Sequence, residues 1–298
     1  MKINNEISIS ISIFYKLIPN NIIKSKKQTD MCNICNLEKS LEKNKNHCLE
    51  NNIEVPDIIN RDLDSINQHK LFYNHQYKEY NEDINNLDAN SCVVVIDFKE
   101  NIKIGGGPIE ANNCFYEKNP ISLLGFVVVY KENNKIKYKY HDYLSEILSH
   151  DSLFSGKCLL NLLKKDRFKG IKNLKVWSDN GNHFRSYEFL YYLFEEVPKI
   201  IKGSVKFNRF VEFHGKSIVD GNFGVLSKKF KQKEKELYIN DINELKRCFE
   251  EEEERKGLFK SSINNSDVSQ KAFFYIYDRN FRPRRSMLEV KNLQVNLS

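Results

Sequence analysis

The rhythm of apolar and polar positions changes twice along this chain. Ile7, Ile9, Ile11 and Ile13 alternate strictly with serines, the period of a half-buried strand. Residues 36–50 and 61–85 are polar and poor in glycine. In the second stretch Leu63, Ile66, Leu71, Tyr77 and Tyr80 fall at helical spacing, so both predict helices. From Ser91 the pattern turns to strands. Cys92-Val93-Val94-Val95-Ile96 is too densely β-branched for alternation, and predicts a strand covered on both faces. A second apolar run at 121–130 meets Asn133-Asn134 and a further strand near 135–141, a hairpin signal. A helix near 150–165 follows, carried by Leu153, Leu159, Leu160 and Leu163. Then come a strand ending at Trp177-Ser178, a helix near 184–196 bearing Tyr187, Leu190, Tyr191 and Phe194, a strand near 203–213, and a helix after Asp220.

The element order is β-β-β-α-β-α-β-α. Three meandering strands followed by alternating helices and parallel strands predict an α/β fold with a ribonuclease-H-like mixed five-stranded sheet. An N-terminal helical module precedes it. The expected division is 1–88 for the N-terminal strand and CxxC helical module, 89–240 for the sheet domain, and 241–298 for a helix, acidic linker and basic aromatic tail. That tail holds Phe273-Phe274-Tyr275-Ile276-Tyr277 and then Arg279, Arg282, Arg284 and Arg285, which suits nucleic-acid contact and, nearly as well, an edge strand with a solvated arm.

Composition narrows the class. The chain has 298 residues, 40% hydrophobic and 12% aromatic, enough to bury a core. Its net charge of +7 is compatible with a polyanionic partner. The 7 cysteines are odd in number and irregularly spaced, unlike a secreted disulfide framework, and imply a reducing compartment. There is no signal-peptide pattern, and the Ile/Ser stretch lacks the apolar length for a membrane span, so no membrane partner is expected.

Three carboxylates carry the candidate chemistry. Asp97 ends the dense strand, Asp179 ends the next parallel strand, and Asp220 sits where the following helix begins. Buried Asp is rare unless it is paired or holds a metal. Three acids at the ends of successive core elements can converge on divalent cations, the requirement of two-metal phosphodiester chemistry. Mg²⁺ or Mn²⁺ is the expected cofactor, since such ions take a few carboxylates and keep room for water and phosphate. Glu212, 33 residues after Asp179, is a rival third acid. A strand-end turn for Asp97 and a helix-start role for Asp220 are the plainer alternatives.

Cys32 and Cys35 form a CxxC half-site for zinc, which needs two more ligands; Cys48 and His69 are the candidates chosen, with His47 and His75 in reach. Gly215-Lys216-Ser217 suggests a nucleotide loop, but the first glycine of that motif would fall at Phe210, which excludes it. His183, Arg185, His214 and Lys216 are candidate phosphate contacts. Lys228, Lys229 and Lys231 on the helix after Asp220 would neutralise a nucleic-acid backbone, although interleaved Glu234 and Glu236 also fit a solvated face.

With these residues in view, the sequence resembles the DDE-type transposase and integrase superfamily. More narrowly it resembles transposase-derived eukaryotic and viral proteins with a Ser-Asp-x-x-x-His-Phe motif, here Ser178 to Phe184, and a His-Gly-Lys-x-x-x-Asp-Gly motif, here His214 to Gly221. Thr29-Asp30-Met31-Cys32 and Cys35 match a third upstream motif. The resemblance covers roughly residues 29–235. It implies metal-dependent DNA strand cleavage and strand transfer through Asp97, Asp179 and Asp220, with DNA as partner, self-association left open, and a nuclear location in a eukaryote or a cytoplasmic one otherwise. The third acid departs from the integrase pattern, being Asp rather than Glu beyond a longer turn. A catalytically inactive DNA-binding or scaffolding protein on the same fold, and a ribonuclease H acting on RNA–DNA hybrid, are the alternatives.

Overall fold

A computed structural model describes residues 32–110, 117–211, 214, 218–254 and 271–276. The strand expected at 7–13, Glu212, Lys216 and the arginines from Arg279 onward lie outside the described residues. In chain order the elements are α1 (Asn33–Glu50), α2 (Asp57–Asn85), β1 (Ser91–Ile104), β2 (Asn119–Glu132), β3 (Lys135–Ser145), α3 (Ser152–Leu163) and β4 (Asn173–Ser178). They continue with α4 (Asn182–Arg185), α5 (Tyr187–Tyr191), α6 (Val197–Ile201), β5 (Ser204–Arg209), α7 (Ile218–Lys233), α8 (Ile242–Glu254) and β6 (Lys271–Ile276). None of the described helices is long and apolar enough to cross a membrane.

The strands form a single mixed sheet in the order β5-β4-β1-β2-β3-β6. The pairs β1–β2 and β2–β3 are antiparallel, whereas β1–β4, β4–β5 and β3–β6 are parallel. The first five strands have the ribonuclease-H-like arrangement that the element order predicts. The sheet has one strand more than expected: the aromatic run of the tail pairs alongside β3 as an edge strand.

The dense Val/Ile run explains where the core lies. Odd positions of β1, Val93 and Val95, pack with Leu123, Val127 and Trp177 under Phe223 and Leu226 of α7 and Leu245 and Phe249 of α8. Even positions, Cys92, Val94 and Ile96, pack on the opposite face with Phe154 and Leu159 of α3 and Phe189 of α5. A central strand covered on both sides cannot alternate in polarity, and this one does not until Asp97.

β1 continues to Ile104, and Gly105 then turns at φ 101. Gly105 N–H donates to the Ile239 carbonyl at 2.7 Å, and Ile239 N–H returns to Gly106 at 3.3 Å, so the run latches the segment after α7 to the sheet. The helix expected near 184–196 is broken into pieces. Ser186 adopts an extended conformation, and its hydroxyl accepts the Phe189 N–H at 3.1 Å, capping a fresh start. A wide turn at Tyr192–Glu196 then leads to Pro198, which has no N–H to donate.

The helical module docks on the same sheet face as α7. Asp83 of α2 is buried and accepts from Trp177 Nε1 at 3.0 Å while pairing with Lys175 Nζ at 3.0 Å. Tyr80 packs edge-on against Trp177 and Phe210, and the Gln76 side chain accepts the Val211 N–H at 2.8 Å. Thus α2 overlooks the ends of β4 and β5.

Candidate functional site

Side-chain alternation brings the first two acids to one face. Val93, Val95 and Trp177 point toward the α7 side, and two residues further along each strand the same parity falls on Asp97 and Asp179. The β1–β4 ladder ends with Ile96 opposite Ser178, so Asp97 and Asp179 stand one step beyond it, on neighbouring strands. Asp179 Oδ1 also accepts the Gly181 N–H at 3.0 Å, which shapes the turn into α4.

The third acid is carried in by α7. Asp220 lies in its first turn, where the N-terminal helix dipole favours a carboxylate, and its side chain is exposed. Two residues on, Asn222 is buried and its Nδ2 donates to both carboxylate oxygens of fully buried Asp142 on β3, at 3.1 and 3.0 Å. Phe223 reaches down beside Gly125, which faces Asp97 across the β1–β2 ladder. A Cβ on Gly125 would lie 2.6 Å from Phe223 Cε1, so the missing side chain permits the close seat of α7.

Asp97 feels both other acids. Asp97 is pushed up to about 8, first by burial, then by the charges of Asp179 and Asp220, with a hydrogen bond from the Phe98 backbone opposing. Tyr77 of α2 is also raised, by burial and then by Asp220, which places α2 along the rim of the site. A buried carboxyl under the field of two others is a site short of positive charge. Its donors are all hard oxygens, the kind that Mg²⁺ or Mn²⁺ takes, but among the described residues these carboxylates are not gathered into a ligand cluster.

His183 lies beside these acids. Its Nε2 is 4.0 Å from Asp179 Oδ1 and has no hydrogen-bond partner among the described residues. Burial holds its imidazole below the ordinary value, with Asp179 opposing, so the ring is neutral at pH 7. Arg185 is exposed and bonds Asn182 instead. Lys228 and Lys231 are exposed on α7, and with Asp220 and Gly224 they make one stripe at helical spacing. Lys229 is half-buried on the neighbouring side. Lys231 also faces Lys99 of β1, whose pKa is lowered by burial and, less, by that neighbour.

A second group of ligating atoms sits across the molecule's rim. Cys32, Cys35, His69 and His214 each bring one atom to within 4.8 Å of all the others. Cys32 Sγ lies 3.3 Å from His69 Nε2, Cys35 Sγ 3.5 Å from His214 Nε2, and the two Nε2 atoms are 2.9 Å apart. His214, expected from the sequence at a phosphate, therefore turns to the cysteines. Cys48, expected as a ligand, stays out: it lies 13 residues beyond Cys35 on the same helix, about 20 Å along the axis. Burial and then His69 hold His214 below the ordinary imidazole value. The sequence offered no signal for His214 as a cysteine neighbour, because 145 residues separate it from His69. An open cleft of about 1120 Å³ runs from Cys32 and His69 past Gln76 to Asn180 and Arg209, joining this group to the turn after Asp179.

Comparison with known proteins adds three findings. Residues 76–279, more than half of the chain, match the family model described as "Domain of unknown function (DUF8701)". No curated protein matches the chain. Among solved structures, the chain is similar to one described as "Mos1 transposase paired-end complex with left transposon end", with 11% identity, a TM-score of 0.37, and coverage of 79% of this chain and 75% of that one.

Proposed function

The chain belongs to the DUF8701 family, and we propose that it is a transposase-like nuclease that cleaves DNA strands with the help of divalent cations, through Asp97, Asp179 and Asp220. What supports this reading is the placement of Asp97 within β1, Asp179 one step past β4 and Asp220 in the first turn of α7 toward one sheet face, with Asp97 pushed up to about 8 first by burial and then by the charges of Asp179 and Asp220. Bound Mg²⁺ or Mn²⁺ would supply an activated water or 3′-hydroxyl and charge stabilisation for the leaving oxygen. The chain's own residues do the rest. Asp97, fixed in the central strand, gives the site its rigid wall. Asp179, half-exposed at a turn, and Asp220, exposed on α7, leave the opposite side open to a phosphodiester. An Nε2–H on neutral His183 would donate to a phosphate oxygen from beside Asp179.

In the reaction, the attacking oxygen forms a bond to phosphorus and the P–O3′ bond breaks, with the departing oxygen taking a proton. A 3′-hydroxyl attacking a second strand gives transfer by the same exchange. The test is nicking of supercoiled plasmid by purified full-length protein with Mn²⁺. Wild type is expected to nick, and Asp97→Asn and Asp179→Asn to lose more than 100-fold in rate, a loss of ~3 kcal/mol or more in barrier stabilisation. Nicking unchanged in both variants, or cleavage confined to RNA–DNA hybrid, would refute the assignment.

Lys228 and Lys231 extend the Asp220 stripe and are placed to meet backbone phosphate. Reversing both to Glu is expected to weaken DNA binding regardless of sequence. The slope of log affinity against log salt should fall by about 2, as roughly 0.9 per lost phosphate contact requires. Fluorescence anisotropy at several salt concentrations measures this, and an unaltered slope would remove these lysines from the interface.

A further inference from the structure

We propose that Cys32, Cys35, His69 and His214 bind a zinc ion that staples the helical module to the loop delivering Asp220. The four residues come from distant parts of the chain. Cys32 is at the N-terminal cap of α1 and Cys35 in its first turn, His69 is midway along α2, and His214 lies between β5 and α7. Their ligating atoms nonetheless surround one point, all within 4.8 Å of one another.

The spacing suits zinc. With Zn–S near 2.3 Å and Zn–N near 2.0–2.1 Å, the edges of a regular tetrahedron come to roughly 3.3 Å between nitrogens and 3.6 Å between nitrogen and sulfur. The corresponding separations are 2.9 Å for His69 and His214, and 3.3 and 3.5 Å for the two histidine–cysteine pairs. A network of hydrogen bonds would satisfy these groups in pairs; here two thiols and two ring nitrogens share a common centre. Two sulfur and two imidazole ligands are the donor set of a closed structural zinc site, with no position left for substrate. The ring of Tyr73 stacks on His214 at 4.1 Å with planes 10° apart, which holds that imidazole in its orientation.

The position gives the ion its role. His214 opens the segment that ends in Asp220, and its partners belong to a module that otherwise touches the sheet through α2. Zinc at this point fixes the loop between β5 and α7 at the end opposite to the Asn222–Asp142 clamp. The exposed third acid is thereby held from both sides. Zinc binding stands whether or not the three aspartates cleave DNA, and its readouts are separate from nicking.

The full-length chain, purified from zinc-supplemented cells, is expected to carry about one zinc per molecule by elemental analysis. Replaced by cobalt, the site should show a thiolate-to-metal charge-transfer band and the strong d–d bands of tetrahedral coordination. Cys32→Ser and His214→Ala should lose the metal, while Cys48→Ser keeps it. His214→Cys guards against simple misfolding, since it should keep cobalt and raise the charge-transfer intensity by about half, from two thiolates to three. Removing zinc should also expose the segment around residues 211–220 to limited proteolysis. A wild-type protein without zinc and without the cobalt charge-transfer band would overturn the site. Stoichiometric zinc in His214→Ala, or an unchanged spectrum in His214→Cys, would overturn the ligand set, and proteolysis indifferent to zinc would overturn the staple.

Discussion

Replacing Asp97 with Asn is expected to make the metal-free protein more stable, by about 4 kcal/mol at pH 7, while abolishing nicking. Asp97 has its folded pKa raised from 3.8 to about 8 by burial and by Asp179 and Asp220. In that case the folded state holds a proton that the unfolded chain has already released. The group is harmless to stability below pH 4, and its cost grows as the pH rises from about 4 to about 8. Asparagine, of the same shape and never charged, escapes the cost. Urea unfolding in the presence of a chelator, for both proteins between pH 4.5 and 8, measures the difference. It should be smallest at the acid end and largest at the alkaline end. A constant difference across that range would mean that Asp97 does not titrate in the crowded environment described for it. A catalytic group that destabilises the apo fold is what an electrostatically strained site predicts, since removing the strain removes the function with it.

The second large effect is expected at Asn222. Its side chain is buried and donates to both oxygens of Asp142, which is fully buried on β3. Asn222→Leu keeps the volume and removes both donors, leaving a desolvated carboxyl without them. The expected loss is about 2–4 kcal/mol in denaturant unfolding. Because Asn222 follows Asp220 by two residues on α7, nicking should fall by more than the folded fraction explains. A double variant with Asp142→Leu, which takes away the acceptor as well, should recover stability without recovering activity. Recovery of both would show that the pair is structural and has no part in seating the third acid.

Much of the framework was legible because one strand obeys a simple rule. The Cys92–Ile96 run is apolar at every position, which only a strand covered on both faces tolerates, and it ends in a carboxylate. Parity then places Asp97 and Asp179 on the face where α7 packs, so the shared side of these two acids follows from period-two alternation. The tail strand was legible in the same way, as Lys271–Ile276 pairs with β3. Local hydrogen-bond competition was harder to read: Ser186 captures the Phe189 N–H and breaks a helix whose apolar spacing looked continuous. The partner of Gly105 and Gly106, Ile239, lies far along the sequence and leaves no local pattern to read. The same difficulty hid His214. A ligand set drawn from three separate elements leaves no spacing to recognise, and the nearer Cys48 looked the better partner until the straight helix carried it about 20 Å away.

The most direct measurement is Mn²⁺ binding to the zinc-loaded protein, followed by electron paramagnetic resonance or calorimetry without DNA. The account predicts that wild type binds Mn²⁺, that Asp97→Asn and Asp179→Asn bind it at least tenfold more weakly, and that Cys48→Ser binds it as wild type does. Equal Mn²⁺ binding by wild type and the two aspartate variants would contradict a cation site built from these carboxylates.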